Sequence, residues 1–339
     1  MSTSTETAGN EIQQSTRRSV PPELNVLLGL IVIAIIFEIL GWIVRGESFI
    51  LNAQRLNIII LQVSVVGIIA VGATQVIITG GIDLSSGSLV GMTAFIAMSF
   101  AQVSSNARAV YPSLTDLPVV VPLVIGLSAG AVAGLINGAL IAYTKIPPFI
   151  ATLGMMVTAR GIANWYTRGQ PVSFPTESYA MFGKGMMPVI IFIFIAILFQ
   201  VLLKYTVYGR RTYAIGSNAQ AARVSGVNVE RHLLLVYAIA GLLSGLAGIV
   251  LSARGQTAQG GMGMMYELQA IAMTVIGGTS LSGGRGSIVG TTLGMVIFGV
   301  IISGFTYIKV SAYYQEIIMG IIIVSAVVLD VYRQRARSK

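Results

Sequence analysis

The strongest constraint on this chain is a succession of apolar runs, each close to 20 residues long, separated by short polar stretches. A bilayer core about 30 Å thick takes roughly 20 apolar residues per helix. Inside that core every backbone N–H and C=O must be satisfied within the protein, which leaves helices as the natural solution. Such runs are read at residues 24–44, 57–79, 84–103, 119–143, 148–167, 188–206, 232–253, 266–281, 287–305 and 314–331. The expected fold is therefore all-α: a polytopic membrane protein of about ten transmembrane helices. The 266–281 run is short and the 148–167 run is polar, so eight full spans with broken or re-entrant pieces stay open. Only 10% of the residues are charged, against about a quarter in soluble domains, which excludes the soluble classes.

The same composition narrows the chemistry. Cysteine is absent and there is one histidine, His232, so no disulfide framework, thiolate metal site or cysteine nucleophile is available. A net charge of +9 is read as the positive-inside bias of a membrane protein, with no nucleic-acid partner. Placing the N-terminus inside puts Arg17, Arg18, Lys145, Lys204, Arg210, Arg211, Arg223, Arg231, Arg285, Arg333, Arg335, Arg337 and Lys339 on the cytoplasmic side. It leaves seven basic residues outside and Arg160 within a span. Both termini are then cytoplasmic. Residues 1–22 read as a retained, disordered cytoplasmic tail, 23–332 as a single transmembrane domain with a cytoplasmic loop at 207–231, and 333–339 as a basic cytoplasmic tail. No segment is large enough for an ATPase, so ATP-driven work would need another chain.

Two stretches interrupt the apolar pattern. Residues 78–91, ITGGIDLSSGSLVG, carry Asp83 between two apolar flanks. An aspartate at helix-centre depth costs about 2.5–3.5 kcal/mol on insertion scales, and each glycine adds about 1 kcal/mol in a continuous helix. A broken helix lining protein or a wet cavity resolves both costs. Asp83 is expected to cap the helix that resumes at Leu84, with direct contact to a solute as a riskier role; Thr79, Gly80, Gly81, Ser85 and Ser86 complete the break. Residues 276–287, IGGTSLSGGRGS, form a second break containing Thr279 and Ser280. At a fixed offset of 199, residues 76–93 echo 275–292, a pattern found in transporters with repeated halves; chance similarity of Gly/Ser/Val-rich helices is the alternative.

Other polar residues in apolar surroundings are Arg160 and Asn164 in the 148–167 run, and Glu38 in the first. Arg160 must face a partner, a cavity or, by snorkelling, the interface, the last being the plainest expectation; Glu38 is expected to be a partnered or interfacial carboxylate. The loop GRRTYAIGSNAQAARVSGVNVERH, 209–232, contains a short helix-forming run from Asn218 to Ser225. Asn218 suits its N-cap and Gly226 its end, and the alanines would allow close approach of another protein.

This loop carries a resemblance. Gln220-Ala221-Ala222, three residues, then Gly226 is similar to the EAA-x-x-x-G signature of permease subunits in bacterial ATP-binding-cassette (ABC) importers, with Gln220 replacing the glutamate. The stretch from Gly216 through Asn218, Gln220, Ala221, Ala222 and Arg223 to Gly226 resembles the GxNxxAARxSGI loop of the ribose/xylose/galactose branch. GGIDLSSGS at 80–88, TLGMMVTARGIA at 152–163 followed by GQPV, and YELQAIAMTVIGGTSLSGGRGSIVGT at 266–291 resemble further elements of that branch; Gln269 stands where it usually has aspartate. The likeness runs from about residue 50 to 331. It implies a permease in the bacterial inner membrane that has no catalytic site. It also implies a second permease chain, expected to be identical, a cytoplasmic ABC ATPase that binds the ATP and Mg, a periplasmic sugar-binding protein and surrounding lipid. No cofactor is implied in this chain. The segment 216–226 would be the ATPase-coupling element. Thr79–Gly81, Asp83, Ser85, Ser86, Arg160, Asn164, Thr279 and Ser280 would mark the translocation pathway or its helix breaks, with Gln170 as a further lining residue. A pentose, a hexose and a cyclitol such as myo-inositol are equally open. The competing readings are a stand-alone ion-coupled carrier using Asp83, Glu38 and Glu267, and an ABC permease for branched-chain amino acids.

Overall fold

The computed structural model describes residues 22–337; the N-terminal tail up to residue 21 and the last two residues of the basic C-terminal tail lie outside the described residues. Helices occupy all ten of the expected runs. They are α1 (Pro22–Arg45), α2 (Ala53–Ile78), α3 (Ser86–Ser99), α4 (Val120–Thr144), α5 (Pro148–Thr167), α7 (Met187–Tyr205), α10 (Val229–Gly255), α11 (Tyr266–Ile276), α12 (Ile288–Tyr307) and α13 (Ala312–Arg337). Between them lie the short α6 (Glu177–Ala180), α8 (Val207–Ser217) and α9 (Ala219–Val224). Six helices among the described residues, α1, α2, α4, α7, α10 and α12, are long and apolar enough to cross a membrane. The expected spans at 84–103 and 266–281 are corrected. The helix α3 has 14 residues and α11 has 11, about 21 and 16 Å at 1.5 Å per residue, short of a bilayer core. Each is cut short by its neighbouring Gly/Ser break. The segment expected as a basic tail from residue 333 continues α13 to Arg337.

α10 is the hub, packed against α4, α3 and α2. Lipid tails are as apolar as leucine, so helices in a membrane associate through close backbone approach more than through hydrophobic burial. The sequence supplies it: Gly126, Gly130, Gly134 and Gly138 recur every fourth residue along α4; the first three meet Gly241 and Gly245 of α10, and Gly138 faces Leu234 and Tyr237. A Cβ on Gly130 would strike the Gly241 carbonyl, and one on Gly241 the Gly130 carbonyl. α3 is buried on nearly all sides. α1 lies outermost, clipped to α12 where Phe37 covers Gly304 and meets Phe305 edge-on at 5.4 Å. Its other face exposes Ile35, Ile39, Trp42 and Ile43, as a lipid-facing surface does.

Glu38 is partnered, as expected: Trp42 Nε1 donates to Oε1 at 2.9 Å, and Phe49 and Ile50 N–H donate to Oε2 at 2.9 and 2.8 Å, closing the α1–α2 turn. At the same end a two-residue antiparallel pair, β1 (Val172–Ser173) with β2 (Thr257–Ala258), ties the segment after α5 to the segment after α10.

Candidate functional site

Both glycine-rich breaks end their helices in the same way. In α2, Gly80 adopts φ +82°, its N–H bonds the Ile77 carbonyl at 2.9 Å, and Gly81 N–H reaches back to Val76 at 3.0 Å. In α11, Gly278 adopts φ +91°, bonding Val275 at 2.9 Å, and Thr279 N–H reaches Thr274 at 3.0 Å. Each is a Schellman termination, in which a left-handed residue turns the chain so that orphan carbonyls are satisfied; glycine adopts that conformation without the Cβ penalty. The two breaks are thus equivalent as helix–break–helix units, but the fixed offset of 199 is not their structural register. Gly80 corresponds to Gly278, whereas the N-cap residues that follow are Ser85 and Ser287. The second break is longer.

Asp83 acts one step earlier than expected. The N-cap of α3 is Ser85, and Asp83 Oδ1 accepts Ser85 N–H at 2.8 Å and Ser85 Oγ–H at 2.6 Å. Asp83 therefore shapes the turn into the helix and does not bond the N–H groups of its first turn. Ser85 Oγ in turn accepts from Asn137 Nδ2 of α4 at 2.9 Å, deep inside the bundle. Gln200 of α7 and Ser287 complete the second break, accepting Ile288 N–H at 3.0 Å and Gly290 N–H at 3.0 Å.

Arg160 does not snorkel. Its Nη1 donates to the Gly260 and Met262 carbonyls at 3.1 and 2.8 Å, pinning the loop that leads into α11. Asn164, one turn along, presents its Oδ1 to Gly260. These two residues hold a loop, and Arg160 also lies within electrostatic reach of Glu267, which sits against Gly87. Thr279 and Ser280 are buried in the second break.

The loop 206–228 divides into two parts with different surroundings. The end of α8 is pressed into the breaks: a Cβ on Gly216 would meet the Ile78 carbonyl and, at 2.5 Å, Gly284 N. Gly284 N–H itself donates to Ile78 O at 2.8 Å, and a Cβ on Gly283 would meet Gly216 O at 2.8 Å and Gly80 Cα at 3.1 Å. Tyr213 of α8 adds a bond from its hydroxyl to Gly286 O at 2.8 Å. One turn of one helix thus touches both breaks. Gly216, expected at an outer protein contact, serves this inner one.

The other part, α9, has the anticipated ends. Asn218 Oδ1 accepts Ala221 N–H at 2.9 Å, and Gly226 follows the helix at φ +83°. Its faces differ. Ala222 is buried against Ile215, Val227, Val229 and Leu233, while Gln220, Ala221 and Arg223 are exposed and Val224 is 82% exposed. Ala222 therefore seats the helix on its own chain, and the open face belongs to Gln220, Ala221 and Val224. Arg223 and Lys145 both pair with Glu230, the latter at 2.8 Å, tying α9 to the α4–α5 turn.

Three residues escaped the sequence reading in these roles. Asn137 and Tyr237, 0% and 1% exposed, stand beside the first break, and Glu267 at 8% lies against Gly87. A lone asparagine in the apolar run of α4 was a readable signal, since polar groups inside membranes are rare and partnered. Tyr237 gave none.

Comparison with known proteins now adds to the geometry. Residues 55–327 match the family model described as branched-chain amino acid transport system / permease component. The chain is 42% identical over 318 residues to the ribose import permease protein of Bacillus subtilis, covering 92% of this chain and 93% of that one. It is 39% identical over 308 residues to the galactose/methyl galactoside import permease protein of Escherichia coli, covering 87% and 92%. The ribose import permease protein of E. coli is 41% identical over 285 residues, covering 81% and 85%. No solved structure matches. With its multi-pass helical architecture and a family match over most of its length, the chain belongs to this family of transport-system permease components.

Proposed function

We propose that this chain is the transmembrane permease subunit of an ABC importer for a neutral monosaccharide or cyclitol in the bacterial inner membrane, with both termini in the cytoplasm. The observation that carries the coupled mechanism is the seating of α8: Gly216 lies against Ile78 of one break and Gly284 of the other. A displacement of the α8–α9 unit is transmitted to both breaks through backbone contacts, which do not yield by changing rotamer. The open face of α9, centred on Gln220, Ala221 and Val224, is the docking point for the ATPase, which binds ATP and Mg. A second copy of the chain completes the pathway, and a periplasmic binding protein delivers the solute. The sugar class rests on the relatives, which are named for ribose and for galactose/methyl galactoside.

The residue roles assigned here are those of Gly216 in transmission, of Asn218 and Gly226 in bounding α9, and of the breaks around Asp83 and Thr279 in lining the path. The test is reconstitution of the permease with its ATPase and binding protein in proteoliposomes, with labelled D-ribose, D-galactose and L-leucine as probes. Vanadate-sensitive uptake of a sugar, with leucine excluded, is the expected result. Uptake that ignores vanadate would return the reading to an ion-coupled carrier.

A further inference from the structure

Four side chains around the first break each bury a polar atom that has no hydrogen-bond partner: Ser86 Oγ, Asn137 Oδ1, Tyr237 OH and Glu267 Oε2. None of these residues is more than 8% exposed. Native proteins leave few such groups, and in a membrane no lipid group can satisfy them. Here they gather on one seven-residue stretch. The Tyr237 hydroxyl abuts Gly81, leaving no room there for a side chain, and Glu267 Oε2 abuts Gly87 in the same way. Ser86 lies between them in the chain, and Asn137 reaches the stretch through its bond to Ser85 Oγ at 2.9 Å. A Cβ on Gly138, beside Asn137 on α4, would lie 3.3 Å from Tyr237 Cβ. The two glycines admit the polar groups to the backbone of the break.

The inventory of these atoms is lopsided. Asn137 Oδ1 and a Glu267 carboxylate oxygen only accept; the Ser86 and Tyr237 hydroxyls donate or accept. What the cluster lacks is a set of donors carried on one small body. A polyol supplies a donor with every hydroxyl. An amino acid brings donors only on its ammonium, and its carboxylate, which supplies none, would stand beside Asp83 and Glu267. The geometry points to a binding position for a neutral polyhydroxylated solute at the first break, formed by Ser86, Asn137, Tyr237 and Glu267. This rests on the sugar-import reading above and gives it a position.

The test exploits the missing partners. Tyr237→Phe and Ser86→Ala each remove an atom that the protein does not bond, so the fold loses no hydrogen bond. In the complete importer with its ATPase and binding protein, each variant should lower the rate of labelled D-ribose or D-galactose uptake about tenfold, equivalent to about 1.4 kcal/mol. Unfolding midpoints should stay level or rise, and the ATPase should still associate. Uptake within twofold of wild type in both variants would overturn the site. A lowered midpoint accompanying the lost uptake would also overturn it, assigning these atoms to structural water. If the wild-type importer carries neither sugar, the substrate reading itself fails and the site falls with it.

Discussion

Replacing Gly216 by alanine tests whether α8 drives the breaks. The added methyl would lie 2.5 Å from Gly284 N and within overlap of the Ile78 carbonyl, where ordinary contact begins near 3.4 Å. Both obstacles are backbone, so at least about 0.9 Å of separation, and more to clear the nearer Ile78 carbonyl, must come from moving α8 away from the breaks. Forced overpacking of this kind costs about 1–3 kcal/mol. The wedge also strains the Gly284 N–H to Ile78 O bond, worth about 0.5–1.5 kcal/mol. Against this, alanine gains up to about 1 kcal/mol over glycine in a helix. A net destabilisation of about 1–3 kcal/mol follows, concentrated at the junction. The assay is paired: the unfolding midpoint of the purified permease, and uptake per ATP hydrolysed in the reconstituted importer. The midpoint should fall modestly and uptake per ATP should fall several-fold while the ATPase remains bound. Gly226→Ala is the control, because its surroundings are open and only its φ of +83° resists a side chain. Gly216→Ala with wild-type midpoint and wild-type coupling would refute the transmission of motion through this contact.

Other substitutions separate the remaining contacts. Ala222→Asp places a charge among Ile215, Val227, Val229 and Leu233 and should cost about 3–5 kcal/mol, seen as a large loss of midpoint. Val224→Asp lies on the open face and should leave stability within about 0.5 kcal/mol while weakening ATPase co-purification. Asp83→Ala strips Ser85 N–H of its acceptor at a cost of about 1–3 kcal/mol, whereas Asp83→Asn keeps an acceptor and should unfold closer to wild type; equal midpoints would remove the turn-shaping role. Gly241→Val should separate α10 from α4, giving a permease that is poorly recovered from the membrane.

Most of the architecture was legible because lipid allows so few backbone solutions. Run length located the ten helices, and α5 begins and ends where the apolar pattern did. The breaks at 79–85 and 277–287 were legible through glycine, since αL positions such as Gly80 and Gly278 leave a compositional trace. What escaped was distance between segments. Nothing along the chain says that Gly216 meets Ile78 and Gly284, or that Asn137 bonds Ser85. The seating of Ala222 was hidden for a related reason: a small residue reads the same whether it admits a partner protein or its own neighbouring helix. The register of the internal echo failed because side-chain similarity at 87–93 and 286–292 tracks helix composition, whereas the correspondence between the breaks lies in their left-handed glycines.

Arg160 gives the sharpest contrast between the two descriptions. Snorkelling makes its charge a tenant of the interface, so Arg160→Met would be nearly silent. The structure instead gives it two carbonyls, Gly260 and Met262, both bonded by the single nitrogen Nη1. Hydrogen bonds to a charged donor are worth about 1.5–3 kcal/mol each, so Arg160→Met should loosen the 256–265 segment and lower the unfolding midpoint. Lysine differs from arginine in lacking the planar fork, but one nitrogen serving two acceptors does not use the fork. Arg160→Lys should therefore keep much of the stability that Arg160→Met loses, provided the ammonium reaches the same carbonyls. Limited proteolysis reads the loop directly: cleavage within 256–265 should rise clearly in Arg160→Met and little in Arg160→Lys. A methionine variant as stable and as protease-resistant as wild type would show that these carbonyls need no arginine, and that the packing of α11 against its neighbouring helices, α12 and α2 foremost, positions it.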